Sequence, residues 1–286
     1  MVDVLTLNYN DSETVISFLK SIKDFQIVHH ILVVDNCSTD DSFLKLKKFE
    51  NDKITVIQTD HNGGYGAGNN FGIRYLANHS RAEYVLQCNP DVIITEKTIY
   101  NLARFLHSHS DYAIAAPFML NKFGKKEMES AFPIPTKWQY ILSLDIIYNK
   151  IFHPGIYEEL DLCLHDFIPV GAVAGSLLML NLSNMIRGGM YDEHIFLYCE
   201  EISLAIKLKK SGLKSAILPK ETFIHNHSVS ITKTYKSALA RRRLLNKSKL
   251  YVIKHYYRSG PLSNLIAWLL AHLSLLEIRI ISFMGN

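Results

Sequence analysis

Three of the first four apolar runs in this chain stop at asparagine or aspartate, and helix-forming segments separate the runs. Val2–Leu7 gives way to Asn8-Tyr9-Asn10-Asp11, Ile31–Val34 to Asp35-Asn36-Cys37-Ser38, and Tyr84–Cys88 to Asn89-Pro90-Asp91. Ile54–Gln58 supplies a further strand between them. Strand and helix signals that alternate in this way specify an α/β fold, with one mainly parallel sheet flanked by helices. Ligands of such sheets sit beyond the carboxyl ends of the strands, so the three polar clusters are site candidates. Each alone also reads as a turn, since Asn, Asp and Pro are ordinary turn formers. Their joint placement is what carries weight.

Turn chemistry fills in the connections. Ser12 is placed to cap a helix running to Lys23. Ser38 or Thr39 is placed to cap the next, with Asp40 and Asp41 in a first turn that favours acids. Residues 62 to 70 form a glycine-dense loop that contains Gly64 and Gly68 and ends in Asn69 and Asn70. It matches neither the P-loop nor the dinucleotide fingerprint. Its glycines either admit close backbone approach to a ligand or make a flexible connection. From about 118 to 168 the chain is irregular and aromatic, with Pro133, Pro135 and Pro154, as suits an excursion over a cleft. Strand character returns at Ser176–Leu180. A helix carrying Glu200 and Glu201 near its start runs to Lys210, and a strand at Ser215–Leu218 stops at Pro219, ahead of Phe223-Ile224-His225.

The 286 residues, 48% of them apolar, suffice for one large α/β domain plus an appendage. A net charge of only +4 argues against a dedicated nucleic-acid binder. Cys37, Cys88, Cys163 and Cys199 lack CxxC spacing, which points to a reducing compartment. No basic region precedes the apolar start at Val2, so the expected location is cytoplasmic. Positive charge gathers late, at Arg241, Arg242, Arg243, Lys247, Lys249, Lys254 and Arg258. The apolar stretch Leu262–Met284 follows, interrupted by His272, Glu277 and Arg279. A spanning helix needs about 20 predominantly apolar residues. The charges here favour a helix lying peripherally on the inner face of the cell membrane, or one packed on the domain or on a second copy in a homodimer. The expected division is residues 1–232 for the main domain and 233–286 for a helical C-terminal extension.

Leu7-Asn8-Tyr9-Asn10, followed by Ile31-Leu32-Val33-Val34-Asp35-Asn36-Cys37-Ser38-Thr39-Asp40, resembles the opening of the family 2 inverting glycosyltransferases. The likeness continues in order through residues 62–72, Cys88-Asn89-Pro90-Asp91-Val92, Gly188-Gly189-Met190-Tyr191-Asp192-Glu193, Tyr198-Cys199-Glu200-Glu201 and His225 through Ser230. It covers about residues 1 to 258 and is similar to the rhamnosyltransferase-like branch that builds bacterial surface polysaccharides. The resemblance implies a GT-A-like (Rossmann-like) fold. It also implies inverting, metal-dependent transfer of a hexose or deoxyhexose, rhamnose among them. The donor would be a UDP- or dTDP-sugar, and the acceptor a glycan or lipid-linked glycan.

Residue roles come with that resemblance. Asp91 and His225 are expected to hold a divalent cation, Mn²⁺ or Mg²⁺, against the diphosphate leaving group; hard cations take oxygen ligands. His227 stands close enough to be confused with His225. Asp35 is expected at the base or ribose, Asn8, Asn10 and Asn36 in the pocket wall, Gly64 and Gly68 along the nucleotide, and Asn69 and Asn70 at the base edge. An inverting transfer needs a base for the acceptor hydroxyl. In the family this is the aspartate of a Glu-Asp pair; Glu201 stands at that position, and Glu200 is its rival.

Four positions depart from the family pattern. Asn89-Pro90-Asp91 replaces the Asp-x-Asp of many relatives, which leaves Asn89 as a neutral ligand or a supporting donor. Glu201 replaces the aspartate base, Ser203 a frequent second aspartate, and Lys207 a frequent arginine. These departures keep open a non-catalytic, sugar-nucleotide-binding scaffold in a polysaccharide assembly complex. A nucleotidyltransferase is disfavoured, because no lysine- and arginine-bearing triphosphate loop lies near the N-terminus. Gly171-Ala172-Val173-Ala174-Gly175 lies either beside the acceptor or in tight strand packing.

Overall fold

Burial on both faces makes the apolar runs into one sheet. The computed structural model describes residues 1–152, 157, 165–226 and 237–284. The expected domain boundary at 232/233, Pro154, Cys163 and His227 through Ser230 lie outside the described residues. The strands are β1 (Val2–Asn8), β2 (Val28–Asp35), β3 (Ile54–Gln58), β4 (Tyr84–Cys88), β5 (Val92–Ile93) and β6 (Tyr112–Leu120). After the short β7 (Ala131–Phe132) come β8 (Ile168–Val170), β9 (Ala172–Val173), β10 (Leu177–Asn181) and β11 (Lys214–His225). The main sheet runs β3-β2-β1-β4-β10-β6-β11-β5, with β8 also on β11. Strands β1 to β4 are parallel, β10 runs antiparallel between β4 and β6, and β6 is parallel to β11.

Helices cover both faces, as continuous apolar strands such as Ile31–Val34 require. Side chains alternate across the sheet. Val4, Val33 and Leu86 face one core with helices α1 (Ser12–Ile22) and α4 (Glu96–Ser108). Leu5, Leu32 and Val34 face the other, with α3 (Tyr65–His79), α7 (Leu182–Arg187) and α8 (Glu200–Lys210). Helix α2 (Ser42–Lys47) begins later than Ser38 or Thr39. The Ser38 hydroxyl is taken by Asp35 Oδ1 at 2.6 Å, and Asp40 instead accepts from the Ser42 N–H at 2.9 Å. In α1 the cap position falls on Asp11, and Ser12 is the first helical residue.

Two other sequence expectations change. Strand β11 does not stop at Pro219: an irregularity in its pairing with β6 between Leu218 and Thr222 accommodates the missing N–H, and the strand goes on to His225. The region from 118 to 168 holds more regular structure than its prolines suggest, including α5 (Lys137–Leu142) and α6 (Ile146–Phe152). Thr136 and Gln139 form a reciprocal capping box that starts α5.

The C-terminal helices α9 (Ala238–His255) and α10 (Pro261–Met284) form a third layer with α5. They share a core of Tyr140, Ile141, Leu144, Ile195, Val252, Ile253, Ala267 and Ala271. Asn246 donates to the Ala271 carbonyl at 2.8 Å and to Ser274 Oγ at 2.9 Å, and Arg242 bonds Ser274 Oγ and the Leu144 carbonyl. One face of the segment expected at 262–284 therefore packs on the domain. Its other face is exposed.

Candidate active site

Parallel pairing delivers the polar strand ends to one edge. Asn8 and Asp35 are register partners, and the Asn36 N–H bonds the Asn8 carbonyl at 2.8 Å. Because β10 runs antiparallel to β4, its start lies at the same edge: Leu177 pairs with Cys88, and the Asn89 N–H bonds the Ser176 carbonyl at 2.8 Å. His225, at the end of β11, pairs with Val92, which follows Asp91.

Asp35 is fully buried and accepts four donors. Oδ1 takes Asn8 Nδ2 and Ser38 Oγ, both at 2.6 Å; Oδ2 takes the Ser38 N–H at 2.9 Å and Gln58 Nε2 at 2.8 Å. Its carboxylate thus ties the ends of β1, β2 and β3 together. Asn10, with φ of 53°, accepts from the Thr39 N–H at 2.8 Å and donates to Thr39 Oγ1 at 3.0 Å, leaving part of its side chain exposed. Asn36 donates to Asn62 Oδ1 and to the Gly64 carbonyl, both at 3.0 Å.

The glycine-dense segment is neither a slack connection nor one long loop, because α3 begins at Tyr65. Gly64 has φ of 89°, and a Cβ there would lie 1.9 Å from the Phe196 carbonyl oxygen. Only glycine lets the start of α3 meet the 196 loop so closely. A Cβ on Gly68 would meet Leu7 and Asn36 at 3.2 Å, so this glycine seats α3 on the strand ends. Asn69 and Asn70, expected at the base edge, are buried. Asn69 donates to the Tyr65 carbonyl at 3.0 Å. Asn70 exchanges hydrogen bonds with the Tyr191 backbone and donates to Glu193 at 2.9 Å.

The carboxylate pair sits at the start of α8, after two left-handed residues, Tyr198 (φ 69°) and Cys199 (φ 72°). Such a bend in non-glycine residues is uncommon and aims the helix start. Glu201 Oε1 lies 3.4 Å from the Gly175 backbone nitrogen, which is on the β10 side of the same edge. Glu201 keeps some exposed surface, whereas Glu200 is buried and its Oε1 has no hydrogen-bond partner among the described residues. Burial, reinforced by the neighbouring Glu201 charge, pushes the Glu200 carboxyl up to about 8. Burial also raises Glu201. Three residues not anticipated from sequence frame this pair: Tyr65, Gln87 and Tyr191. Tyr65 donates to the Gly175 carbonyl at 2.5 Å, and Gln87 Nε2 reaches both phenolic oxygens at 2.8 and 2.9 Å. A glutamine inside the otherwise apolar β4 is the signal that was available.

Asp91 and His225 meet at 3.2 Å between Oδ2 and Nε2, both largely buried. The donors, one carboxylate and one imidazole, suit Mn²⁺, with oxygens of a diphosphate to complete its shell. Among the described residues no group of three or more His, Cys, Asp or Glu side chains gathers to hold a metal alone. Ser203, where an aspartate is frequent, is fully buried and donates to the Glu200 carbonyl at 2.9 Å. Lys207 reaches the Gly189 carbonyl.

A mainly parallel sheet with one antiparallel strand inserted, helices on both faces and polar residues gathered at its carboxyl edge define a GT-A-like α/β protein. The chain belongs to glycosyl transferase family 2, whose sequence profile matches residues 3–168. It is 28% identical over 233 residues to the low-salt glycan biosynthesis hexosyltransferase Agl10 of Haloferax volcanii, covering 81% of this chain and 69% of that one. It is 25% identical over 170 residues to the rhamnosyltransferase WbbL of Escherichia coli, covering 57% of this chain and 60% of the relative. The mannosyltransferase PcManGT from Pyrobaculum calidifontis, solved in complex with GDP-Man and Mn²⁺, aligns over 100% of this chain and 75% of its own. Its TM-score is 0.57 at 13% identity, a likeness of fold.

Proposed function

We propose that this glycosyltransferase moves a hexose or deoxyhexose, rhamnose among them, from a UDP- or dTDP-sugar to a glycan or lipid-linked glycan, with inversion, at the cytoplasmic face of a membrane. The observation that carries a catalytic reading is Glu201, held beside Gly175 at the edge where the polar strand ends converge, with the buried Glu200 next to it in the chain. A scaffold that only binds has no need of two carboxyls raised by burial at that place. The hexosyltransferase and rhamnosyltransferase names of the relatives support the donor class.

Glu201 acts as the base. Its carboxylate accepts the acceptor hydroxyl proton as that oxygen bonds the anomeric carbon, and the bond to the nucleoside diphosphate breaks with its electron pair on the phosphate oxygen. The Gly175 N–H orients Glu201, and Glu200 stays protonated at neutral pH, which spares the pair a second negative charge. Asn8, Asn10 and Asn36 wall the nucleoside pocket, with Asp35 as the anchor that fixes them. Asp91 and His225 would hold Mn²⁺ or Mg²⁺, whose chemistry when bound is neutralisation of the diphosphate charge. Asn89 supports that position from the same turn.

A donor screen tests this. Purified protein is incubated with UDP-, dTDP- and GDP-sugars, with and without Mn²⁺, and thermal stabilisation and nucleoside diphosphate release are followed. Metal-dependent stabilisation by one pyrimidine nucleotide class, with slow release, is expected. Binding without release, even with acceptor glycolipid present, would replace this reading with the scaffold.

A further inference from the structure

Helix α10 is built inside out. Its buried stripe, Ser263, Ala267, Ala271, Ser274 and Glu277, is small or polar, with Ile266 and Leu270 half-buried at its flank. Its solvent stripe is large and apolar: Leu262 is 71% exposed, Leu265 and Leu269 53%, Trp268 49% and Ile280 58%. A helix that helps only to close a core turns the opposite faces. The patch extends beyond α10, because Glu277 Oε2 accepts from the Ile146 N–H at 3.0 Å and so fixes α6 alongside. On α6, Ile147, Ile151 and Phe152 are 60 to 65% exposed. On α5, Trp138 is 47% exposed, so both tryptophans of the chain stand half out of this one layer. Large apolar side chains exposed on three helices of one layer mark an interaction site.

We propose that this layer is a docking surface for an anionic lipid bilayer, with α10 lying in the headgroup plane. Charge selects the occupant. From Ser237 to Met284 there are eight lysines and arginines and one acid, the buried Glu277, whereas the whole chain nets only +4. Arg243, Lys247, Lys254, Arg258 and Arg279 are exposed. Two copies apposed through this layer would bring like charges together, whereas an anionic leaflet neutralises them. Half-exposed tryptophans beside apolar residues suit the interface, where an amphipathic ring is at home. By length and composition Pro261–Ile281 is also long and apolar enough to cross a bilayer. Crossing would pull Ser274 and Glu277 off their partners and into hydrocarbon, which is costly, so the helix lies along the surface. The same layer packs on Ile195, Cys199 and Ile202, the segment that carries Glu200 and Glu201, so the docking layer directly backs the carboxylate-bearing helix start. The proposal does not depend on the transferase reading.

The test is flotation of the full chain with phosphatidylglycerol–phosphatidylcholine vesicles and with phosphatidylcholine vesicles alone. A Trp138→Phe variant leaves Trp268 as the sole reporter. Binding to the anionic vesicles is expected, weaker without the anionic lipid, with a blue shift of Trp268 and quenching by brominated lipid. The triple variant L265Q/L269Q/L273Q alters only exposed positions. It is expected to keep the wild-type circular-dichroism melt while its partition falls by roughly 10-fold or more. Absence of vesicle binding, or binding untouched by the triple variant, overturns the proposal. So does a dimer by light scattering that the triple variant dissolves while vesicles leave Trp268 unchanged; that result would assign the face to a second copy.

Discussion

Asp91 Oδ2 and His225 Nε2 lie 3.2 Å apart, although 134 positions separate them in the chain, because β11 runs back antiparallel along β5. The Asn226 N–H bonds the Asp91 carbonyl at 3.1 Å, so backbone pairing holds the two side chains together. Asp91→Asn and His225→Ala are each expected to weaken Mn²⁺-dependent donor binding by about 10-fold to 100-fold or more. Isothermal titration of Mn²⁺ with UDP checks this. Unchanged metal dependence in both variants would remove them from the metal site.

The two glutamates predict unlike consequences. Glu201→Gln is expected to lower kcat by about 10²–10⁴-fold while donor affinity stays within a factor of a few, as loss of a general base does. Glu200→Gln, isosteric with a protonated carboxyl, is expected to retain much more of the rate. Steady-state kinetics on both variants decides between them; the reverse ranking would make Glu200 the base.

Stability should fall as pH rises near neutrality. Glu200 is raised from an ordinary 4.5 to about 8, so between those values the folded chain holds a proton that the unfolded chain releases. The stabilising contribution is full below pH 4.5 and is lost as pH climbs through about 8. Glu200→Gln should flatten this part of the Tm-against-pH curve, read by differential scanning fluorimetry. Burial also raises Glu201, so transfer should switch on with pH at a midpoint above the usual carboxylate range.

Gly64→Ala should be costly for its size. The new methyl would sit 1.9 Å from the Phe196 carbonyl oxygen, in a backbone conformation with φ of 89°. A loss of about 1–3 kcal/mol is expected from the strained conformation alone, seen as a lowered urea midpoint. An unperturbed midpoint would mean that the start of α3 and the 196 loop can separate freely.

The sequence by itself determined the α/β class, the polar strand ends and the two glutamates opening α8. These are local signals: apolar runs of strand length, turn residues after them, and acids at a helix start. Even its errors were local, such as ending β11 at Pro219, where a pairing irregularity absorbs the missing N–H. Tertiary structure alone decided how the polar residues divide their work. Asp35, Asn69 and Asn70 look like freely offered ligand contacts in a row of letters, yet all three are buried: Asp35 bonds Asn8, Asn70 bonds the Tyr191 carbonyl, and Asn69 bonds the Tyr65 carbonyl within α3. Tyr65, Gln87 and Tyr191 look like packing, yet they frame Glu201 across 126 residues of chain from the first of them to the last. Helix α10 shows the same division. Its apolar content was plain in the sequence, but which stripe faced inward depended on where α5, α6 and α9 stood. Hydrophobicity is a property of residues, whereas exposure is a property of the fold.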